Sequence, residues 1–370
     1  MRIAIDARTA ENKSGIGVAT ESLIRSLLKI DNKNEYLIIG NRRPDWLPNT
    51  VEFYRTRFKL VHHPWVDLWN YIYLPLWLIK KDVALFWGAG YFIPFIPCKI
   101  KKIATFHDLS PIACSQFFPF KTLCLLRVTM AISIRTANKI MTISTYSHQE
   151  IHRIYGARIS ARTCVVPMAA DQRFQASLKN KELEYVRLKY GLPNDYILYV
   201  GNIEPRKNIT TLAKAFQQFV SNGYPGNLVI VGQKAWLSDE SLRMLQQGVC
   251  SKRVLLTGYV PDEDLPAIYQ NAKVFAYPSL YEGFGMPILE AMMSGVAVVA
   301  SNRASLPEVG GNAAVLVEPL DVHAWVSALH KLMIDPFQRE KYNQLGKERV
   351  LQFSWEASAF KLKQIFEACG

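Results

Sequence analysis

Two carboxylates, Glu282 and Glu290, stand eight positions apart and have the spacing in this sequence that most directly suggests chemistry. They bracket the turn Gly283-Phe284-Gly285, which follows an apolar stretch that we expect to be a buried strand. Glycines in such a turn let a ligand approach the backbone N–H groups, and Pro287 favours a helix start directly afterwards. We therefore expect Glu290 in the first turn of a helix whose N-terminus attracts an anion, while both acids accept hydrogen bonds from hydroxyls. Phosphate and hydroxyls on one ligand indicate a nucleotide sugar.

A second candidate segment, residues 201–208, follows one predicted strand and precedes a predicted helix. Its cations Arg206 and Lys207 lie at the helix start, where the partial positive charge of the helix disfavours them. We therefore predict that an anion such as a diphosphate neutralises both, with Gly201 and Asn202 in the same phosphate loop. A pair of solvated surface charges is the alternative interpretation.

Two weaker candidates lie in the first half of the chain. His107 follows the predicted strand Ile103–Phe106 and is placed to bind a sugar hydroxyl or an acceptor, although a lone histidine is more often structural. Its neighbour Asp108 is expected to orient the loop. Gly15 and Gly17 stand between the first strand and the first helix, where their N–H groups would approach a phosphate, but alone this pair is a weak signal.

The acidic run 262–264 (Asp-Glu-Asp) matches the Asp-x-Asp pattern that holds a metal-bound nucleotide in some sugar transferases. Because the run follows Pro261 and opens the predicted helix Leu265–Ala272, we interpret these acids as partners of the helix N-terminus. The six cysteines show no paired metal spacing. We therefore predict no metal site and no disulfide framework.

Short apolar runs alternate with longer amphipathic ones, which is typical of parallel sheets covered by helices. A chain of 370 residues exceeds the size of a single core, and the series restarts at Tyr196. We predict two doubly wound domains at 1–170 and 171–350, with 169–193 as a linker, and a C-terminal helix at 351–370 that packs back on the first domain. Ligands should gather at the carboxyl ends of the strands. The predicted strands are Arg2–Asp6, Tyr36–Ile39, Val83–Phe86, Ile103–Phe106, Ile140–Ile143, Thr163–Val166, Tyr196–Val200, Leu228–Val231, Val254–Leu256, Val274–Tyr277 and Val296–Ala300.

The net charge of +13 belongs almost entirely to the first half of the chain. Residues 1–170 hold 23 Lys and Arg against 11 Asp and Glu, whereas residues 171–370 hold 21 against 20. This asymmetry favours an anionic partner for the first domain. Since no motif supports nucleic acid, we predict an anionic membrane surface, contacted by the aromatic and lysine-rich segment Trp65–Lys81. A core or domain interface is the alternative place for these aromatic residues.

Membrane contact is expected to be peripheral. The longest uncharged run, Val83–Cys98, is too short to span a bilayer and is broken by glycines and prolines. The first residues begin as a strand rather than as a signal peptide. We therefore predict a cytoplasmic protein on the cytoplasmic face of the inner membrane.

These blocks resemble the retaining glycosyltransferases of family four. That family has the GT-B fold, an α/β architecture of two Rossmann-like doubly wound domains that face each other across a cleft. The likeness is strongest from Tyr196 to Pro319, where the PRKN loop, the YPSLYEGFGMPILEAMMSG block and the SNRASLPEVGGNAAVLVEP block follow the family's order. The segments IDAR, GIG and TFHD near the N-terminus match more loosely. The blocks look most like bacterial mannosyltransferases of O-antigen and exopolysaccharide assembly.

The resemblance implies a role for each candidate residue. Glu290 would hold the ribose hydroxyls, and Glu282 with the backbone of the glycine turn would hold the transferred sugar. Arg206 and Lys207 would neutralise the diphosphate leaving group without a metal, and His107 would lie at the sugar and the acceptor.

The resemblance also implies the substrates. The donor would be GDP-mannose, and the acceptor a saccharide or a polyprenyl-diphosphate-linked chain in cell-surface polysaccharide synthesis. Many relatives have an arginine where this chain has Asn202, which makes Arg206 more important here. A nucleotide-sugar epimerase of similar fold and a non-catalytic subunit of a glycan assembly complex are the alternatives.

Overall fold

The computed structural model describes residues 1–11, 15–56, 69–94, 99–175, 177–235, 239–246 and 250–369. Part of the predicted membrane segment, including Trp65, and the end of the uncharged run at Cys98 lie outside these residues. The chain forms two compact α/β units. One consists of Met1–Met168 and Ser354–Gly370, and the other of Ala169–Phe353.

The first unit is built on a seven-stranded parallel sheet in the order β3-β2-β1-β4-β5-β6-β7. The strand numbers rise from β1 to β3 towards one edge of the sheet and from β4 to β7 towards the other, as in doubly wound sheets. Its strands are β1 (Arg2–Asp6), β2 (Glu35–Gly40), β3 (Glu52–Arg55), β4 (Leu85–Gly88), β5 (Lys101–Phe106), β6 (Lys139–Thr142) and β7 (Thr163–Val165). Its helices are α1 (Gly15–Ile30), α2 (Leu74–Lys80), α3 (Ser110–Ala113), α4 (Phe120–Thr136), α5 (Thr145–Tyr155), α6 (Ala157–Ser160) and the last helix of the chain, Trp355–Glu367.

Apolar strand residues with almost no exposure form the core of this unit, because a sheet covered on both faces must bury nearly every strand side chain. Examples are Ile3, Ile38, Phe86 and Ile103, each 0% exposed. The last helix, Trp355–Glu367, packs along α1. Its Phe366 is fully buried, with its ring centroid 5.9 Å from that of Trp87.

The second unit has a six-stranded parallel sheet in the order β10-β9-β8-β11-β12-β13. Its strands are β8 (Tyr196–Val200), β9 (Asn227–Val231), β10 (Val254–Gly258), β11 (Val274–Tyr277), β12 (Ala297–Ser301) and β13 (Ala314–Val317). Its helices are α7 (Asn180–Tyr190), α8 (Ile209–Ser221), α9 (Asp239–Gln246), α10 (Leu265–Gln270), α11 (Met286–Met293), α12 (Leu306–Gly310), α13 (Val322–Ile334) and α14 (Pro336–Val350), so that Trp355–Glu367 is α15.

Three elements differ from the prediction. The stretch 169–193, predicted as a linker, contains helix α7, in which only Val186 is buried. Such a polar helix carries little of the periodic apolar signal on which sequence prediction depends. The edge strands β3 and β13 were not predicted, since both are four residues long and partly exposed.

Candidate active site

Glu282 lies at the centre of a buried ionic cluster in the second unit. Its side chain is 7% exposed, and its Oε1 accepts a hydrogen bond from Lys207 Nζ at 2.6 Å. Its Oε2 lies 3.1 Å from Arg206 Nη1. Burial by itself raises the pKa of Glu282, but the two cations outweigh it and lower the pKa to about 2. Glu282 is therefore an ionised carboxylate at neutral pH.

Lys207 is held by two neighbours. Besides Glu282, its ammonium donates to the Tyr277 hydroxyl at 2.9 Å and lies 5.2 Å above the centre of the Tyr277 ring. An ammonium has three donors, and among the residues that the structure describes the third has no partner, so it is available to a ligand. Burial lowers the pKa of Lys207, and Arg206 adds to this while Glu282 opposes it.

Arg206 joins three parts of the cluster. Its Nη1 donates to the Tyr281 carbonyl at 2.7 Å as well as to Glu282, and its Nη2 donates to Glu204 at 2.7 Å. Glu204 is itself 5% exposed. Sequence reasoning missed Glu204 and Tyr277, although Glu204 stands only two positions before Arg206 in the same loop.

The two cations are paired with carboxylates of the chain itself. Glu282 and Glu204 pair with Arg206 and Lys207 in the structure, and the contact of these cations with a bound diphosphate stays a prediction. Two carboxylates against two cations make the cluster close to neutral. This arrangement satisfies charges that would be costly to bury alone.

The glycine turn at 283–285 is held in place through its carbonyl groups. Gly285 has φ +106°, and a Cβ there would lie 2.6 Å from Leu306 Cδ2, so only glycine fits. The Ser305 hydroxyl reaches the carbonyls of both Glu282 and Phe284, at 2.9 and 2.8 Å. Within the described part of the chain, the N–H groups of residues 283–285 have no acceptor. The turn is thus pinned by its carbonyls and offers its donors.

The Phe284 ring is buried in the core of the second unit. The side chain is 2% exposed and packs edge-on against Phe353, with ring centroids 5.7 Å apart and planes at 82°. Gly283 is buried beside it. The bulky ring therefore anchors the turn in the core of the unit.

Glu290 lies one residue further along α11 than we predicted. The helix begins at Met286, so Pro287 occupies its second position and Glu290 its fifth. The Glu290 carboxylate accepts a hydrogen bond from the Tyr269 hydroxyl at 2.9 Å. Burial raises the pKa of Glu290 to about 7, against the effect of that hydrogen bond. The pKa shifts of Glu290 and Glu282 are thus opposite, the first raised by burial and the second lowered by two cations.

The loop after β8 is closely packed where it begins and exposed one residue later. Gly201 N donates to the Val231 carbonyl at 2.9 Å, and Asn202 is exposed. Asn208 directly precedes α8, but its side chain forms no capping hydrogen bond. Its Nδ2 donates instead to the carbonyls of Pro278 and Pro319, which ties the loop to the segment that carries Glu282.

His107 lies at the carboxyl end of β5 in the first unit and is 5% exposed. Its Nε2 donates to the Ala89 carbonyl at 2.8 Å, which leaves Nδ1 as an acceptor. That atom is buried and has no hydrogen-bond partner among the described residues. Burial lowers the pKa of His107, although the Ala89 carbonyl and Asp108 oppose this, so the ring is neutral at pH 7.

Asp108 organises the loop after β5, as expected. Its Oδ1 accepts hydrogen bonds from the Tyr91 hydroxyl at 2.8 Å and from both the backbone N–H and the hydroxyl of Ser110, at 2.9 and 2.7 Å.

The positions of Gly15 and Gly17 differ from the prediction, because both residues lie within α1 rather than in a loop before it. Gly17 is buried in the first turn of this helix.

The acidic run 262–264 forms contacts within its own unit. Asp264 accepts hydrogen bonds from Lys189 and Tyr190, at 2.7 and 2.6 Å, and Asp262 lies 3.6 Å from Arg173. Among the residues that the structure describes, no group of three or more His, Cys, Asp or Glu is arranged to hold a metal ion. No helix in that part of the chain is long and apolar enough to cross a membrane.

Comparisons with known proteins decide the family. Residues 187–349, which include the cluster and the glycine turn, match the model of the glycosyl transferases group 1. O-antigen chain mannosyltransferase B of Escherichia coli is 36% identical over 267 residues, which cover 71% of this chain and 69% of that relative. The chain belongs to the group 1 glycosyltransferases. The predicted resemblance to bacterial O-antigen mannosyltransferases is therefore confirmed, and the relatives favour neither the epimerase nor the non-catalytic alternative.

A second relative of this group 1 glycosyltransferase is much longer than the chain. The serotype-specific mannosyltransferase WbdA of Escherichia coli is 32% identical over 270 residues, 70% of this chain but 32% of that relative. The chain thus spans about a third of WbdA. Among solved structures, Anabaena HepE in complex with UDP and glucose aligns over 100% of both chains at a TM-score of 0.75 and 16% identity. This likeness concerns the fold alone and confirms the predicted GT-B fold.

Proposed function

We propose that this group 1 glycosyltransferase moves mannose from GDP-mannose to a saccharide or polyprenyl-diphosphate-linked acceptor of a bacterial cell-surface polysaccharide. The transfer would retain the anomeric configuration and need no metal. The observation that carries the proposal is the Lys207–Glu282–Arg206 cluster beside the free N–H groups of residues 283–285. The sugar follows from the names of two relatives, both mannosyltransferases of Escherichia coli, and GDP as its carrier is what the family resemblance implies.

The geometry supports specific roles in this reaction. When the bond between the anomeric carbon and the diphosphate breaks, negative charge develops on the phosphate oxygens. The third N–H of Lys207 and the N–H groups of the turn are fixed in advance to receive that charge. Glu282 would accept hydrogen bonds from the transferred sugar, and Glu290 from the ribose.

The first unit supplies a different group. The neutral His107 offers its buried Nδ1 as an acceptor for one hydroxyl. Because Nε2 is engaged with a backbone carbonyl, the tautomer that leaves Nδ1 unprotonated is fixed. We assign this atom to a hydroxyl of the sugar or of the acceptor. The acceptor hydroxyl forms the new bond to the anomeric carbon on the face that the diphosphate leaves.

A panel of nucleotide sugars tests this proposal. GDP-mannose at about 100 times its Kd should stabilise the fold by about 2.7 kcal/mol, which raises Tm by several degrees, whereas UDP- and ADP-sugars should not. EDTA should leave transfer unchanged, and NMR of the product should show the donor's anomeric configuration. A shift with UDP-sugars only would refute the donor, and an inverted product would refute retention. Epimerised donor in the absence of acceptor would instead support the epimerase.

We further propose that the chain binds peripherally to the anionic cytoplasmic face of the inner membrane. One face of the segment 72–79 exposes Ile72, Tyr73, Leu76 and Ile79 to between 45% and 58%. Lys80 and Lys81 follow directly. An exposed apolar face next to cations suits a lipid surface.

Sedimentation with lipid vesicles tests membrane binding. The protein should sediment with phosphatidylglycerol vesicles more than with phosphatidylcholine vesicles, and less so at high salt. Replacing Leu76 and Ile79 by serine should weaken sedimentation, whereas the control Leu320→Ser, at a site 65% exposed in the second unit, should not. Equal sedimentation with both lipids, or an unaffected Leu76/Ile79 variant, would contradict the proposal.

A further inference from the structure

A cavity of about 450 Å³ lies in the first unit, at the carboxyl ends of β1 and β2. We call it the Trp46 pocket. It is lined by Ala7, Ala10, Glu11, Glu21, Ile38, Gly40, Arg42, Arg43, Pro44, Asp45, Trp46 and Phe53. Its volume is within the range of small-molecule sites, and it combines an apolar base with a few polar side chains, as such sites do.

Several of the polar groups in the Trp46 pocket serve its own structure. Glu11 accepts hydrogen bonds from the backbone N–H groups of Asn41 and Arg42. The Arg43 guanidinium donates to the carbonyls of Pro48 and Val51, at 2.6 and 3.2 Å. These bonds fix the loop after β2, so the pocket is a built feature of the fold.

Two other polar side chains are available to a ligand. Arg42 and Asp45 are exposed, and within the described ranges neither side chain forms a hydrogen bond or ion pair. The half-buried Trp46 indole lies beside them, with the Arg25 guanidinium 5.6 Å from its ring centre. A guanidinium, a carboxylate and an aromatic face together bind vicinal hydroxyls and the apolar face of a sugar ring.

The charges in and around the Trp46 pocket are balanced. Three carboxylates (Glu11, Glu21 and Asp45) and the two guanidinium groups of Arg42 and Arg43 line it, and Arg25 beside Trp46 pairs with Glu21 at 3.1 Å. A pocket without net charge suits an uncharged ligand, although the first unit as a whole is basic. A neutral polyol is such a ligand, since it brings no unpaired charge to bury.

The position of the pocket indicates which part of an acceptor it would hold. β2 and β1 are separated from β5, and so from His107, by up to three strand steps in the sheet order. At about 4.8 Å per step, the pocket lies roughly 10 to 14 Å along the same sheet edge from His107. That distance is too long for the reacting sugar and suits a residue further back along an oligosaccharide.

We infer that the Trp46 pocket binds a neutral sugar residue of the acceptor, behind the residue that is extended. This inference rests on the proposed function, because it identifies the acceptor as an oligosaccharide whose length matters. Arg42 and Asp45 hydrogen-bond the hydroxyls, and Trp46 packs against the ring.

Acceptors of increasing length test the inference. With the methyl glycosides of mannose and of α-mannotriose, the native enzyme should have the lower KM for the trioside. The double variant Arg42→Ala/Asp45→Asn should raise the trioside KM about tenfold or more, with the monoside KM and the donor KM unchanged. The control Arg158→Ala, an exposed arginine before β7 in the same unit, should leave all three constants unchanged. An unchanged trioside KM, or equal increases for both acceptors, would overturn the inference.

A binding measurement separates this inference from the proposed donor. Saturation-transfer NMR with the methyl mannotrioside and no nucleotide should show contact with the native enzyme and none with the double variant. This result would stand even if another nucleotide sugar were the true donor. If the native enzyme does not bind the trioside, or if the variant binds it equally well, the Trp46 pocket is not an acceptor site.

Discussion

Replacing Lys207 by alanine is expected to lower kcat/KM for sugar transfer by about 10²- to 10³-fold, the typical cost of one fixed electrostatic group. The Lys207 ammonium is positioned by Glu282 at 2.6 Å and by Tyr277 at 2.9 Å. Alanine removes the cation and leaves Glu282 paired with Arg206, so the second unit should stay folded. Steady-state kinetics with saturating acceptor measure the effect.

The matched control for this prediction is Lys214→Ala. Lys214 lies on α8, directly after the loop that carries Lys207, and its side chain is exposed. Its removal should change kcat/KM less than twofold, as surface charges usually contribute little. Near-native turnover of Lys207→Ala would show that the cluster does not serve the reaction, whereas a folded Lys207→Ala protein without activity supports the assignment.

Replacing Glu282 by glutamine should cost both activity and stability. The amide replaces one of the two carboxylate oxygens proposed for the sugar by an NH2 donor, and it removes the negative charge that pairs with Arg206 and Lys207. Breaking a buried ion pair from one side typically costs about 3–5 kcal/mol. We expect the lower end of this range, because a buried lysine can lose its proton instead. Chemical denaturation of the two proteins measures the difference.

The dependence of this difference on pH provides a sharper test. The pKa of Glu282 falls from its ordinary 4.5 to about 2 in the fold. A carboxyl group with a lowered pKa contributes stability that is fully present above pH 4.5 and is lost as the pH falls through 2. The difference in free energy of unfolding between the native protein and Glu282→Gln should therefore be constant from pH 6 to 8 and decrease below pH 4.5. A difference that stays constant down to pH 3 would rule out the ion pair as its cause.

A diphosphate should partly restore the Glu282→Gln protein. Because the variant holds two cations against one carboxylate, GDP should raise its Tm by more than it raises the native Tm. Equal shifts would mean that the phosphates bind away from Arg206 and Lys207.

The interior of the second sheet could be predicted from the sequence because its central strands are continuous apolar runs. Tyr196–Val200 and Val274–Tyr277 occur as predicted, since strands buried on both faces need no polar alternation. The glycine turn could also be predicted from its glycines. Gly285 has a positive φ in the structure, a backbone conformation that other residues rarely adopt.

The connections within the site could not be predicted in the same way. Glu204 and Glu282 are 78 positions apart, and nothing in either segment indicates that both contact Arg206. The helix dipole argument correctly required a neutralising anion, but it could not tell a ligand from a side chain. The position of Glu290 depended on whether Pro287 takes the first or second place in α11, a difference of one residue that propensities do not resolve.

The last helix has a consequence for how the protein is made. Residues 359, 362 and 366 of α15 are fully buried against a unit whose other residues end at Met168. The ribosome therefore delivers the whole second unit before the first unit receives its final helix. During that interval the apolar side of α1 is not yet packed against α15, while the strands β8 to β13 of the second unit have all been synthesised. Although the first unit begins at the N-terminus, it is thus the last to be completed during synthesis.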